Sequence, residues 1–322
     1  MGRQEIISYL GEDWNRVTAL MQGSLHTDVA LLKRINGTIM ENSGKMLRPM
    51  ISLLVARALG EVNDDSIRYA AGAELLHNAT LMHDDVADNS PERRGRPTVS
   101  SMLGPDAAVL IGDFWLARAV EVVIGSAHRE SVVNFFSKTL SDLSEGEILQ
   151  LEKTFEADTS EEDYFRIIYC KTASLFEATS AAAAESVSAP EECSRAAKEF
   201  GRLMGMAFQI KDDILDYAGT DELGKPLGID LLEQKITLPL LGALKDSPEE
   251  ARIRGLVREI HSDPANLETV RRFVWDNGGI DYASRRLDEF IEKAVSALDA
   301  FPDTTAKKYL EEIVRFNSFR QV

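Results

Sequence analysis

Cysteine is nearly missing from this sequence. Cys170 and Cys193 are the only two among 322 residues, and they form no C-x-x-C spacing. A disulfide framework and a Cys-based zinc site are both excluded, and the count fits a reducing compartment. Basic runs are missing too. There are 36 Lys and Arg against 53 Asp and Glu, a formal charge of −17. A nucleic-acid binder shows a basic patch or stripe, so that class is not expected, nor is electrostatic docking on an anionic membrane. On charge alone, an anionic substrate looks unfavourable as well. No run of 18 apolar residues occurs, and the best stretch, Met50–Leu59, is cut by Arg57. A transmembrane segment is therefore not expected. The opening residues MGRQEIISYLGEDW lack the apolar stretch of a secretion signal, so a cytoplasmic location is expected.

Proline is scarce, at 10 residues, and turn clusters lie far apart. Between them the apolar residues recur at three- and four-residue spacing. Over Ile67–Leu81 apolar and small residues fill most of a helical circumference, which predicts a helix buried nearly all round. Val120–Ile124 and Val132–Leu151 continue the helical pattern, and Ala178–Ala184 is a strong helix-forming run. No sustained strand alternation appears. Pro105, Pro248 and Pro264 fall where helices start, just inside the first turn. The fold class is all-α. Residues 1–322 read as one domain of roughly a dozen helices, since no linker is long enough to mark a boundary and no solenoid-length repeat occurs.

One short pattern is repeated. His83-Asp84-Asp85-Val86-Ala87-Asp88 and Lys211-Asp212-Asp213-Ile214-Leu215-Asp216 both contain DDxxD, each at the end of an apolar helical stretch. Positions i and i+4 sit one above the other on a helix, so Asp84 and Asp88 point one way, as do Asp212 and Asp216. Like charges so placed weaken a helix by a few tenths of a kcal/mol. A single copy reads more readily as a solvated acidic helix end. Two copies favour a metal, and oxygen-only carboxylate ligands suit Mg²⁺, completed by waters and substrate phosphates. Lys45 and Arg48 stand three apart in Gly44-Lys45-Met46-Leu47-Arg48-Pro49. Arg93 and Arg94 follow the first motif, Lys171-Thr172 interrupts a mostly apolar helix, and Lys225 and Lys235 follow the second motif. Arginine forks match phosphate oxygens bidentately and lysine acts as a point charge. Singly each is an ordinary surface cation; together, flanking two Mg²⁺-type motifs, they suggest a diphosphate cradle. His77, two turns before Asp84, could donate to a phosphate or be a satisfied core histidine.

Taken in order, these segments resemble the trans-isoprenyl diphosphate synthases, the polyprenyl synthetases, over nearly the whole chain. Gly44-Lys45-Met46-Leu47-Arg48-Pro49 resembles the GKxxRP segment of that family, with Met46 replacing a residue often basic or polar. Ala87 and Asn89 stand where larger or acidic residues are common. The resemblance implies an isoprenoid synthase fold, a helical bundle around a deep central cavity, and a homodimer. It implies Mg²⁺ at Asp84, Asp85, Asp88 and Asp212, with Asp213 and Asp216 in support, and three ions per active site when substrate is bound. Arg93, Lys171, Lys225 and Lys235 would hold an allylic diphosphate, with Thr172 and Gln209 nearby. Lys45, Arg48, His77 and Arg94 would hold isopentenyl diphosphate, and Phe208 would line the cavity. Asp84, Asp85, Asp88, Asp212 and Lys171 are the catalytic candidates.

The implied chemistry is head-to-tail condensation to an all-trans polyprenyl diphosphate. Metal and cations stabilise charge on the departing diphosphate, and an apolar cavity shields the allylic cation from water. Product length should follow cavity depth. Ala79 lies five residues before Asp84, about 7.5 Å along the helix, with Thr80 beside it. In the family an aromatic at this place stops the chain early. Deeper layers would be Leu76, Leu75 and Gly72, with Phe135 or Phe136 as a floor. A long-chain product such as octaprenyl diphosphate, a quinone side-chain precursor, is expected. Three other readings compete. His77 and His83-Asp84 could belong to an HD-type phosphohydrolase, but that leaves the second DDxxD unexplained. A class I terpene cyclase would not need Lys45, Arg48 and Arg94. An inactive partner subunit need not have kept all six aspartates.

Overall fold

A computed structural model describes residues 2–318 apart from 43, 94 and 219–227, with backbone alone for 316–318. The described chain is helical nearly throughout. Its elements in order are α1 (Arg3–Leu10), α2 (Glu12–Ser24), α3 (Ala30–Glu41), α4 (Leu47–Leu59), α5 (Asp64–Ala87), β1 (Glu92–Arg93), β2 (Arg96–Pro97), α6 (Val99–Leu103), α7 (Pro105–Ile124), α8 (Arg129–Glu156) and α9 (Glu161–Ile168). A π-helical turn, Tyr169–Ala173, leads into α10 (Ser174–Ser186), α11 (Glu191–Ala218), α12 (Ile229–Leu232), α13 (Leu238–Leu244), α14 (Glu250–Arg258), α15 (Ala265–Asp276), α16 (Gly279–Ala297) and α17 (Thr305–Ser318). The all-α expectation holds.

The one ladder among the described residues is antiparallel, with Glu92 opposite Pro97 and Arg93 opposite Arg96. Apolar periodicity cannot reveal two-residue strands made of Glu, Arg and Pro. Pro105 is the first residue of α7, as expected. Pro248 instead precedes α14 by two residues, because Ser247 first closes a turn by accepting the Glu249 amide at 3.2 Å. Pro264 is the N-cap of α15 rather than its first helical residue.

Contacts divide the chain into two compact units. The first comprises Met1–Ser137, Ala178–Lys198 and Leu298–Glu312; the second comprises Lys138–Glu177, Glu199–Ala297 and Ile313–Val322. In the first unit α5 is the central helix, buried on nearly every side from Ser66 to Met82. Its start is fixed by a capping box: the Asn63 side chain accepts from the Ser66 amide at 3.0 Å, and Ser66 Oγ accepts from the Asn63 amide. Such caps are worth about 1 kcal/mol. Packing against α7 is close at two glycines. A Cβ on Gly72 would lie 2.6 Å from Val123 Cγ2, and one on Gly112 would strike the His83 imidazole. Gly72, Leu76, Ala79 and His83 share one helical stripe by their spacing, so the α7-facing seam of α5 runs through Ala79. Two buried polar pairs are closed in this unit: Trp115 Nε1 donates to Asn36 Oδ1 at 2.9 Å, and Tyr69 pairs with Ser126 at 2.8 Å. Arg57, which cuts the apolar run of α4, reaches Asp13 and the Leu10 carbonyl, both at 2.7 Å.

The second unit is organised about the π turn. A Cβ on Gly146 of α8 would lie 2.7 Å from Cys170 Cβ, and one on Gly205 of α11 would lie 2.5 Å from Ala173 Cα. The two glycines let α8 and α11 approach the turn from either side. On α9, Ser160 and Asp163 form a second capping box. Arg254 of α14 donates to the Ala157 and Thr159 carbonyls at 3.0 and 3.2 Å, closing the segment between α8 and α9.

Candidate active site

Each aspartate motif is described within its own unit. In the first, α5 ends at the motif: Asp84 is half-buried, Asp85 is buried, and Asp88 is exposed at the C-cap. The Asp88 amide donates to the Asp84 carbonyl at 2.8 Å, so the last turn is intact and the two carboxylates share a face. Asp85 points the other way and accepts from Arg93 Nε at 2.6 Å. Burial raises the Asp85 carboxyl, and the Arg93 charge offsets part of that rise. Arg93 reaches it from β1. Arg94 lies outside the described residues.

The Gly44–Pro49 segment turns into α4 through two left-handed residues, Gly44 at φ 69° and Met46 at φ 48°. The Met46 side chain is buried, which accounts for an apolar residue at this place in the motif. Lys45 is exposed, and Arg48 is buried in the first turn of α4. His77 is half-buried on α5. His83 lies 3.3 Å from Asp113 of α7, so it belongs to the α5–α7 seam, against the HD-type alternative. Ala79 and Leu76 are buried, and Thr80 donates to the His77 carbonyl at 2.9 Å. Gly72 lies against Val123 of α7, whose Cγ2 would be 2.6 Å from a Cβ at that position. Phe136 is buried and Phe135 half-buried on the first part of α8.

In the second unit a connected polar network lies at the π turn. Thr172 Oγ1 donates to Gln209 Oε1 at 2.8 Å, Gln209 Nε2 donates to Asp213 Oδ1 at 2.8 Å, and Tyr164 OH donates to Asp213 Oδ2 at 2.6 Å. Lys171 Nζ is 2.5 Å from Glu147 Oε1 and 3.0 Å from Gln150 Oε1. A π turn inserts one extra residue into a helix and is common at functional sites. Here it sets Lys171 toward α8 and Thr172 toward α11. Lys235 is 2.5 Å from Glu233 Oε2. Lys225 lies outside the described residues. Asp212 is exposed on α11. Asp216 accepts from the Ile229 and Asp230 amides at 3.0 and 3.2 Å, capping α12. Phe208 packs its ring 5.7 Å from that of Phe176. A cavity of about 150 Å³ is lined by Gln150, Tyr164, Lys171, Thr172, Gln209 and Asp213, with Asp230 and Lys235.

The electrostatics of this unit suit a divalent cation. Burial, with the neighbouring Asp212 and Asp216 charges, pushes the Asp213 carboxyl up to about 7 even though Tyr164 and Gln209 donate to it. Asp230 is pushed up by burial and by Asp213 and Asp216. Lys171 and Lys235 are both paired with glutamates. With both lysines paired, burial and mutual repulsion leave the charged forms of Asp213 and Asp230 disfavoured, a condition that a bound cation would relieve. Among the described residues no group of three His, Cys, Asp or Glu side chains forms a ready-made cage. Mg²⁺ rarely uses one, binding instead through one or two carboxylates, waters and substrate phosphates. The residues present fit Mg²⁺.

Glu147, Gln150, Tyr164, Asp230 and Glu233 were not singled out from the sequence. Glu147 and Gln150 stand three residues apart, which puts them on one face of α8, but that spacing alone does not mark them out. Tyr164 gave no signal beyond its place two turns before the Lys-Thr pair.

In the second unit a buried aspartate network and two lysines line one cavity, and in the first a helix ends in a carboxylate pair, which together suit a helical protein that handles phosphate groups. The polyprenyl synthetase family model matches residues 29–274, and the chain belongs to that family. The octaprenyl diphosphate synthase of Haemophilus influenzae is 38% identical over 96% of this chain and 94% of its own length. An all-trans-nonaprenyl-diphosphate synthase (geranyl-diphosphate specific) of Rhodobacter capsulatus is 37% identical over 97% of this chain and 96% of its own. The crystal structure of a polyprenyl synthase from Caulobacter crescentus, complexed with calcium and isoprenyl diphosphate, superimposes with a TM-score of 0.91. It is 34% identical and covers 100% of this chain and 98% of that one.

Proposed function

We propose that this protein is a Mg²⁺-dependent trans-prenyltransferase that condenses isopentenyl diphosphate with an allylic diphosphate to give a long-chain all-trans polyprenyl diphosphate. The observation that carries the reading is the pairing of two intact DDxxD motifs with a Lys-Thr π turn, in a chain that matches octaprenyl and nonaprenyl diphosphate synthases over nearly its whole length.

The residues divide the work. Asp84, Asp88 and Asp212 are less buried than Asp85 and Asp213, and are the proposed direct metal ligands. Asp85, Asp213 and Asp216 are held by Arg93, by Tyr164 and Gln209, and by the start of α12, and support them. Bound Mg²⁺ would supply Lewis-acid stabilisation of the diphosphate as its charge develops. Lys171, Lys235, Lys225 and Arg93 would bind the allylic diphosphate, and Lys45, Arg48, His77 and Arg94 isopentenyl diphosphate. Phe208 would shield the reacting carbons. The allylic C–O bond breaks and its electron pair leaves with diphosphate. The isopentenyl double bond then forms the new carbon–carbon bond, and a proton passes to the released diphosphate to restore an alkene. Side chains orient and desolvate the reactants, and none acts as a nucleophile.

A homodimer is part of this reading. Leu110, Val120 and Ile124 are 68%, 46% and 53% exposed along one stripe of α7, and Phe155 of α8 is 89% exposed. Apolar stripes of this kind mark interaction surfaces. Among the described residues no helix is long and apolar enough to cross a membrane.

The deciding experiment is mass analysis of products formed from labelled isopentenyl diphosphate with geranyl or farnesyl diphosphate as primer. The expected result is Mg²⁺-dependent elongation to products of about eight to ten isoprene units, as in the octaprenyl, nonaprenyl and decaprenyl synthases among its relatives. Release of phosphate or cyclised hydrocarbons without elongation would rule it out.

A further inference from the structure

Among the charged and polar groups at the π turn, one residue has no part in binding substrate or metal yet completes the network that does. We propose that Tyr164 is a positioning residue of the active site, acting through Asp213 to hold the Gln209 side-chain amide in a single orientation. The proposal rests on the prenyltransferase reading and deepens it.

The argument follows from donors and acceptors. A glutamine amide presents an acceptor on one side and donors on the other, and its orientation is set by its neighbours. Gln209 Nε2 faces Asp213 and Oε1 faces Thr172 Oγ1, both at 2.8 Å. That order depends on Asp213 offering an oxygen. Asp213 is almost completely buried, and its second oxygen is occupied by the Tyr164 hydroxyl at 2.6 Å. Two donors on two oxygens fix the plane of the carboxyl group. With the phenol removed, Oδ2 would be left buried without its donor, a costly state that the group relieves by turning. A turned Asp213 no longer dictates which face Gln209 shows. Thr172 would then meet either end of the amide, and the cavity wall beside Lys171 would lose its single arrangement.

Tyr164 is itself held rigidly. It lies one turn into α9, where the Ser160–Asp163 capping box fixes the helix start and the Tyr164 amide donates to the Ser160 carbonyl at 2.9 Å. Its ring meets Phe165 at a 5.4 Å centroid distance. The phenol thus transfers the rigidity of a capped helix to two groups it does not touch.

The test compares the unaltered chain with Tyr164→Phe, Thr172→Val and the double variant, recording kcat, the KM for the allylic diphosphate and the melting temperature. Tyr164→Phe keeps the ring and removes only the hydroxyl. The expected result is a kcat lowered about tenfold, which corresponds to losing one buried hydrogen bond, in a chain that remains folded at the assay temperature. The double variant should be nearly as active as the weaker single variant, because both act on one amide. If the phenylalanine chain does not fold, Tyr164→Met fills similar space without a hydroxyl and is expected to show the same loss. An unchanged kcat in either folded variant, or losses that simply multiply with Thr172→Val, overturns the positioning role and leaves the prenyltransferase reading intact. No condensation by the unaltered chain overturns both.

Discussion

Lys171 shows how a single residue is tuned. Its ammonium sits 2.5 Å from Glu147, a residue 24 positions earlier, so a diphosphate arriving at Lys171 must share or displace that carboxylate. Partly exposed ion pairs are worth up to about 1 kcal/mol. Glu147→Gln should therefore tighten the allylic substrate, lowering its KM about two- to fivefold, as steady-state kinetics would show. Ala79 makes a second residue-level case. It is fully buried in the α5 stripe that runs between the Val123 and Gly112 contacts. Ala79→Tyr should shorten the product, with truncated polyprenyl diphosphates dominating by mass spectrometry. Unchanged product length would remove Ala79 from any role in chain length. At this scale the sequence revealed the motif residues but not their partners. Glu147 and Glu233 occupy ordinary acidic positions, and only folding puts them on Lys171 and Lys235. The capping of α12 by Asp216 was equally invisible, since a DDxxD pattern looks the same whether its last member faces a metal or a helix start.

Among the elements, the long helices were the most legible. The buried circumference of α5 followed from its apolar and small residues, and the polar Lys-Thr pair marked where an apolar helix changes. That this change is a π turn was not legible. It depends on Gly146 and Gly205 drawing α8 and α11 onto residues 170–173, and glycine in a helical pattern carries no address for the neighbour it admits. These glycines make a contrasting prediction. Gly205→Val should destabilise the chain by about 1–3 kcal/mol, because the added carbons meet the Ala173 backbone and the Phe176 ring. Gly255 in α14 has open space around it, so Gly255→Ala should stabilise by about 0.5–1 kcal/mol through helix propensity. Urea denaturation of both variants would separate the two cases.

For the whole molecule, the charge of −17 pointed away from anionic ligands, and that inference misled because global charge says little about one cavity. In the second unit the described lysines of the site are themselves neutralised by glutamates, and buried aspartates repel one another. Cationic side chains alone would not draw a diphosphate there. Treatment with a chelator should therefore abolish turnover completely rather than slow it, and added Mg²⁺ should restore it. Residual elongation in metal-free buffer would mean that the lysines suffice. Fold class and family were legible because they rest on periodicity and on motif order, which survive any surface composition. Charge balance at the site was not, because it depends on which acids fold inward.

The π turn also gives the chain an unusual sensitivity to length. Each helical residue turns the axis by about 100°, so removing one residue from Tyr169–Ala173 would let an ordinary helix run unbroken from α9 into α10. Every backbone hydrogen bond could still form and the apolar composition would barely change. The residues on either side, however, would be rotated against each other, and Tyr164 and Thr172 would no longer close the same hydrogen-bonded chain. A deletion that appears mild in an alignment of helices would thus silence the site, while an ordinary substitution at the same place would leave its phase intact.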